Sequence, residues 1–159
     1  MENLFSEAAL FGGGDLDFIE AESKAGAATR TLALDGPLDL RTVLGPLVRG
    51  SGDPTMRVAA GAAIRASMTA DGPAAVELRV EGASVRGWAW GPGADRLLDG
   101  LPAVLGLDDD DTGFDPGLHP VVAALARRQG RVRLGRTGAV WEALLPAMLE
   151  QRITGTEAW

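Results

Sequence analysis

Between residues 55 and 90, four short segments alternate apolar and polar side chains, and only short turns separate them. Met56 and Val58 alternate with Thr55 and Arg57. Ile64, Ala66 and Met68 alternate with Arg65 and Ser67. Val76, Leu78 and Val80 alternate with Glu77 and Arg79, and Ser84 to Trp90 is the fourth segment. A period of two marks a strand with one buried face. Turns at Ala60-Gly61, Asp71-Gly72-Pro73 and Glu81-Gly82 are too short for a crossover, so neighbouring strands must run antiparallel. The chain is thereby committed to an antiparallel sheet covered on one side, with the apolar set of each strand facing the cover. The fourth segment breaks the clean alternation, because Trp88 and Trp90 share a face with Arg86. Burial under a helix at the sheet edge is the expected place for both tryptophans; a stacking platform for bases is the alternative.

Helical signals flank this core. Thr29 to Leu34 alternates as a further strand and ends at Asp35-Gly36-Pro37, a turn. Asp39 caps a helix reaching about Arg49, with Leu40, Val43, Leu44 and Leu47 on one face and an interruption at Gly45-Pro46. Gly91-Pro92-Gly93 stops the sheet, and short helical pieces follow at Ala94–Asp99 and Leu101–Leu105. His119-Pro120 opens a helix through Arg128, since proline is favoured at the first helical position. Val132 and Leu134 lie in an extended connector. Thr137 then begins a helix whose stripe is Val140, Trp141, Leu144, Leu145, Met148 and Leu149, with a kink expected at Pro146. Thr154-Gly155-Thr156-Glu157 matches a capping box, which starts a helix only residues before Trp159. That ending is expected to fall inside a domain, and the chain to be a fragment of a longer protein.

These signals give an α+β organisation: a disordered acidic leader over 1–28, an antiparallel domain over 29–107 with helices on one face, an acidic linker over 108–117, and opening helices over 118–159. The net charge of −7 is spread unevenly. Residues 1–28 and 29–115 are acidic, whereas 116–159 carry six Arg and three Glu. Five of those arginines fall within 127–136, just before a helix start. Phosphate contact and a solvated basic face are equally open readings of that cluster.

Several chemistries are disfavoured. With no Cys there is no disulfide, thiolate zinc site or thiol nucleophile. A single His, His119, argues against a His-based metal site or a Ser-His-Asp triad, and is read as a helix-start residue. Asp108-Asp109-Asp110-Asp111 lacks the spacing of a calcium loop and reads as solvated linker. Neither glycine cluster, 12–14 or 91–93, has a phosphate-loop pattern, so no cofactor is expected. No apolar run of roughly 18 residues is present, so no membrane span is expected, and a cytoplasmic location is. One Lys against fourteen Arg, with no Tyr, reads as a GC-rich coding bias.

The stretch Arg136-Thr137-Gly138-Ala139-Val140-Trp141-Glu142 through Leu149-Glu150-Gln151-Arg152-Ile153-Thr154 resembles the opening of the helix-hairpin-helix (HhH-GPD) domain of DNA-3-methyladenine glycosylase II type proteins. Leu44-Gly45, Gly52-Asp53-Pro54-Thr55, Trp90-Gly91-Pro92-Gly93-Ala94 and Leu98-Asp99-Gly100-Leu101-Pro102 agree in order, and the likeness to the actinobacterial branch covers 29–159. The resemblance implies a TATA-binding-protein-like N-terminal domain followed by the first helices of a truncated all-α glycosylase domain. It implies monofunctional excision of alkylated bases in base excision repair, by a monomer acting on damaged double-stranded DNA. Gln151 and Arg152 would enter the minor groove to fill the gap left by a flipped nucleotide; Arg133 and Arg136, from the basic cluster at 127–136, are expected as further DNA-binding residues. No acid of this chain stands where the family has its catalytic Asp, so no catalytic residue is assigned and the chain alone should be inactive. The alternative is a non-catalytic DNA-binding or protein-interaction module.

Overall fold

The computed structural model describes Lys24 and residues 26–153. The expected acidic leader therefore lies outside the described residues apart from Lys24 and residues 26–28, and so does the capping box at 154–157. What is described is an α+β fold built on a five-stranded antiparallel sheet. Its strands are β1 (Ala28–Ala33), β2 (Met56–Val58), β3 (Ala62–Thr69), β4 (Gly72–Glu81) and β5 (Ser84–Trp90). The spatial order is β1-β5-β4-β3-β2. The short turns force β2 to β5 into a meander, and β1 completes the far edge against β5, from Ala28 opposite Ala89 to Ala33 opposite Ser84.

The helices are α1 (Leu40–Leu44), α2 (Ala94–Asp99), α3 (Leu101–Val104), α4 (Pro120–Gln129) and α5 (Val140–Leu149). Asp39 caps α1 by accepting from the Arg41 N–H at 2.8 Å. Gly45-Pro46 then tightens the chain into a 3-10 turn over Gly45–Leu47, the expected interruption. His119 caps α4, its Nδ1 accepting from the Val121 N–H. The last helix starts three residues later than expected: Gly138 adopts φ 66°, and Thr137 instead accepts the Ala139 N–H in a turn of its own.

Leu40, Leu44, Leu97, Leu98, Leu101 and Val104 of α1–α3, with Leu105 just after α3, pack onto Val76, Leu78, Val85 and Ala89 of the sheet. Each fully buried leucine contributes roughly 1.5–3 kcal/mol. Cross-strand partners share a face, so the pairing of Leu78 with both Ala63 and Gly87 defines the covered side.

The register of β3 corrects the alternation read from sequence. Ala63, Arg65 and Ser67 lie on the covered face, opposite Leu78, Val76 and Ala74. Ile64, Ala66 and Met68 lie on the other, where Met68 is 71% exposed. A paired guanidinium can be buried along its apolar stem, so polarity alone misassigned the face. Trp88 needs correction as well. β5 lies between β1 and β4, not at an edge, and Trp88 points to the face opposite α1–α3 together with Arg86.

Asp53 anchors the turn into β2. Its buried carboxylate accepts from the Arg49 N–H (2.7 Å), the Thr55 N–H (2.8 Å) and the Thr55 hydroxyl (2.7 Å). Burial pushes its pKa up, but these donors and the Met56 N–H outweigh it and hold the group below its ordinary 3.8. A carboxylate depressed on folding stabilises fully above its unfolded pKa and loses that contribution as pH falls through the lower folded value. The turn at 49–56 is therefore expected to loosen below about pH 3.8, read by amide exchange. Asp53→Ala should cost about 1–3 kcal/mol at neutral pH, by orphaning buried donors, and should remove that acid dependence.

Candidate nucleic-acid interface

The basic cluster before α5 forms an extended strap over residues 131–139. The strap lies across the C-terminal end of α3, where the Arg136 N–H donates to the Ala103 carbonyl at 3.0 Å. Close approach is possible because Gly135 places no side chain against the Val104 carbonyl, which a Cβ would meet at 2.9 Å. Gly106 at φ 60° makes room in the same way beside Arg133.

The strap and the acidic run at 108–111 form one seam. Arg131 pairs with Asp35 (2.6 Å) and Asp111 (3.2 Å). Arg133 pairs with Asp35 and donates to the Gly106 carbonyl. Arg136 pairs with Asp108 (2.5 Å) and Asp109 (3.2 Å), and the Leu134 N–H donates to Asp109. The Arg133 guanidinium holds the Asp35 carboxyl below its ordinary pKa. The Arg133 side chain is only 5% exposed, so contact with phosphate through it would require breaking this seam. Arg136 keeps about half of its side chain open, at 55%. Arg127 and Arg128, at the end of α4, are exposed.

α5 is held to the sheet by a polar pin that carries no local sequence signal. Arg65, buried on β3, donates to Glu142 at 2.7 Å and to the Ser67 hydroxyl at 3.2 Å, and that hydroxyl donates to the other Glu142 oxygen. The residues involved are 75 and 77 positions apart, beyond the reach of any spacing rule. A groove of about 790 Å³ runs between the edge of β3 and α5, with Met68, Trp90, Pro92, Trp141, Leu145 and Pro146 among its walls. No residue of α4 or α5 is buried. The expected apolar stripe of α5 is thus left largely exposed even where Trp141 and Leu145 border the groove, with Trp141 74% exposed.

Gln151 and Arg152 follow α5 directly and are exposed. The turn is closed by the Arg152 and Ile153 N–H groups, which donate to the Leu149 carbonyl at 2.9 and 3.3 Å. Both side chains therefore project from a turn whose backbone bonds do not depend on them. The structure thus sets Gln151 and Arg152 at one end of α5, and Arg133 and Arg136 in the strap before its other end. Among the described residues, no group of three His, Cys, Asp or Glu could hold a metal ion, and no helix is long and apolar enough to cross a membrane. No protein-family model and no curated protein matches the chain.

Proposed function

We propose that the chain is the N-terminal, DNA-engaging part of a monofunctional DNA glycosylase that flips and excises alkylated bases of the 3-methyladenine type in base excision repair. The observation that carries this reading is the exposed turn after α5, with Gln151 and Arg152 adjacent on it. Extruding a nucleotide costs a few kcal/mol and leaves a hole in the stack that a side chain must fill. Arg152 can fill it with a planar, weakly hydrated head on a long stem, and add a cationic contact. The ordered motifs shared with DNA-3-methyladenine glycosylase II type proteins support the same reading. The sheet and α1–α3 would then be the TATA-binding-protein-like domain. α4 and α5 would open the helical glycosylase domain, and Arg136, Arg127 and Arg128 would supply phosphate contacts. The partner is damaged double-stranded DNA, bound by a monomer in the cytoplasm without a cofactor.

No residue here matches the family's catalytic Asp. The 159 residues alone are expected to bind duplex DNA containing an abasic-site analogue more tightly than intact duplex, and to release no base from methylated DNA. Base release by these residues would overturn the placement of the chemistry. Equal affinity for the two duplexes would favour the second reading, a non-catalytic DNA-binding or protein-interaction module. The exposed apolar stripe of α5 suits that reading too.

A further inference from the structure

We propose that Trp88 and Glu77 form a recognition site for a primary alkylammonium, filled in this chain by its own Lys24. The site is independent of the glycosylase reading and lies on the sheet face opposite α1–α3. The pairing of β4 with β5 places Glu77 directly opposite Trp88 there, and β3 places Ile64 on its other side. Glu77 is completely buried. Its Oε1 accepts from Lys24 Nζ at 2.8 Å and from Arg79 Nε at 2.6 Å. Its Oε2 is buried with no hydrogen-bond partner among the described residues.

Lys24 Nζ also sits 3.8 Å from the centroid of the Trp88 ring. One nitrogen thus receives a carboxylate oxygen and an aromatic face together, the arrangement in which cation–π attraction is strongest once water is excluded. The Lys24 side chain is only 14% exposed. The guanidinium of Arg86 stands farther off, at 5.7 Å from the same ring. Residue identity sharpens the argument. The chain uses arginine at fourteen of its fifteen cationic positions and lysine only here. An ammonium is a compact point charge that fits where a planar fork would have to lie flat. It carries three donors, while Glu77 has acceptor capacity left on Oε2. Lys24 lies four positions before Ala28, the first residue of β1, so it reaches the site on a short tether. The ligand class that this geometry selects is an unbranched primary amine, such as a lysine side chain of a partner. Quaternary amines lack the N–H donors, and acylated amines lack the charge.

The test is chemical rescue of the full chain carrying Lys24→Ala. n-Butylammonium is expected to raise its melting temperature and shift the Trp88 indole NMR resonance, both saturably. n-Butanol and tetramethylammonium should do neither, and the wild-type chain, filled by Lys24, should not respond. Adding Glu77→Gln to Lys24→Ala should weaken the amine response by about tenfold or more, as expected when a charge-assisted bond becomes a neutral one. If Lys24→Ala does not fold alone, refolding it with increasing n-butylammonium reads the same equilibrium, and dose-dependent recovery supports the site. No saturable response to the amine, or an equal response to n-butanol, overturns the proposal.

Discussion

Gly91→Ala is expected to lower stability by about 2–5 kcal/mol, from backbone strain of about 1–2 kcal/mol and overpacking of about 1–3 kcal/mol. Gly91 has φ 94°, a conformation that costs little only without a Cβ. It also leads the chain from β5 towards α2 beside the start of β4. A Cβ there would stand 2.4 Å from the Pro73 carbonyl oxygen and 3.1 Å from Ala74 Cα. Both are backbone atoms of a paired strand and cannot swing aside. A domain of this kind holds roughly 5–15 kcal/mol in total, so the loss is a large share. Gly61 is the matched control, because its Cβ would meet nothing within 4 Å and its φ is not positive. Gly61→Ala should stay within about 0.5 kcal/mol. Urea midpoints at constant m value measure both, and equal midpoints would contradict the strained approach.

Leu101→Ala is expected to cost about 2–5 kcal/mol, the range for deleting a buried leucine and leaving a cavity. Leu101 is 1% exposed and fills the space that Gly87 leaves on β5, where a Cβ would come within 2.8 Å of its Cδ1. The effect should reach the strap. α3 presents the Ala103 carbonyl that holds the Arg136 N–H. Arg133 is tied to the Gly106 carbonyl just beyond α3. Amide exchange at Arg136 should therefore accelerate in Leu101→Ala. Leu144→Ala on α5 removes the same atoms from a side chain 44% exposed and should change stability by about 0.5 kcal/mol or less. Equal losses at the two positions would mean that α5 is packed as tightly as α3.

The local grammar of the chain was legible where one element decided its own shape. Asp39 before a helical period, Gly45-Pro46 inside it and His119-Pro120 at a later start each act within a few residues, and the structure places them as read. Short turns forced the antiparallel meander for the same reason. The face of β3 was not legible, because the carboxylate that partners the buried Arg65 is Glu142, 77 positions away. The seam was hidden likewise: the basic cluster was open between phosphate contact and a solvated face, and only the fold brings Arg136 onto Asp108 and Asp109 and Arg133 onto Asp35, 98 positions away. Glu77 sat on the face expected to be polar, and nothing in its own strand signals complete burial. The end of the α5 stripe at Leu149 was legible in the same way, and Gln151 and Arg152 follow it as a turn.

That turn carries the central claim, and one substitution tests it most directly: the affinity of Arg152→Ala for duplex DNA containing an abasic-site analogue, read beside its melting temperature. Arg152 is exposed, and its own N–H, not its side chain, closes the turn onto Leu149. Removing the side chain should leave stability within about 0.5 kcal/mol. Binding should weaken by the value of a lost stacking contact, about 1–3 kcal/mol or roughly 5- to 150-fold. Its salt dependence should flatten slightly with the loss of one cationic contact. Weakened binding at an unchanged melting temperature is the predicted result. Unchanged affinity together with a lowered melting temperature would make Arg152 a structural residue and contradict the account.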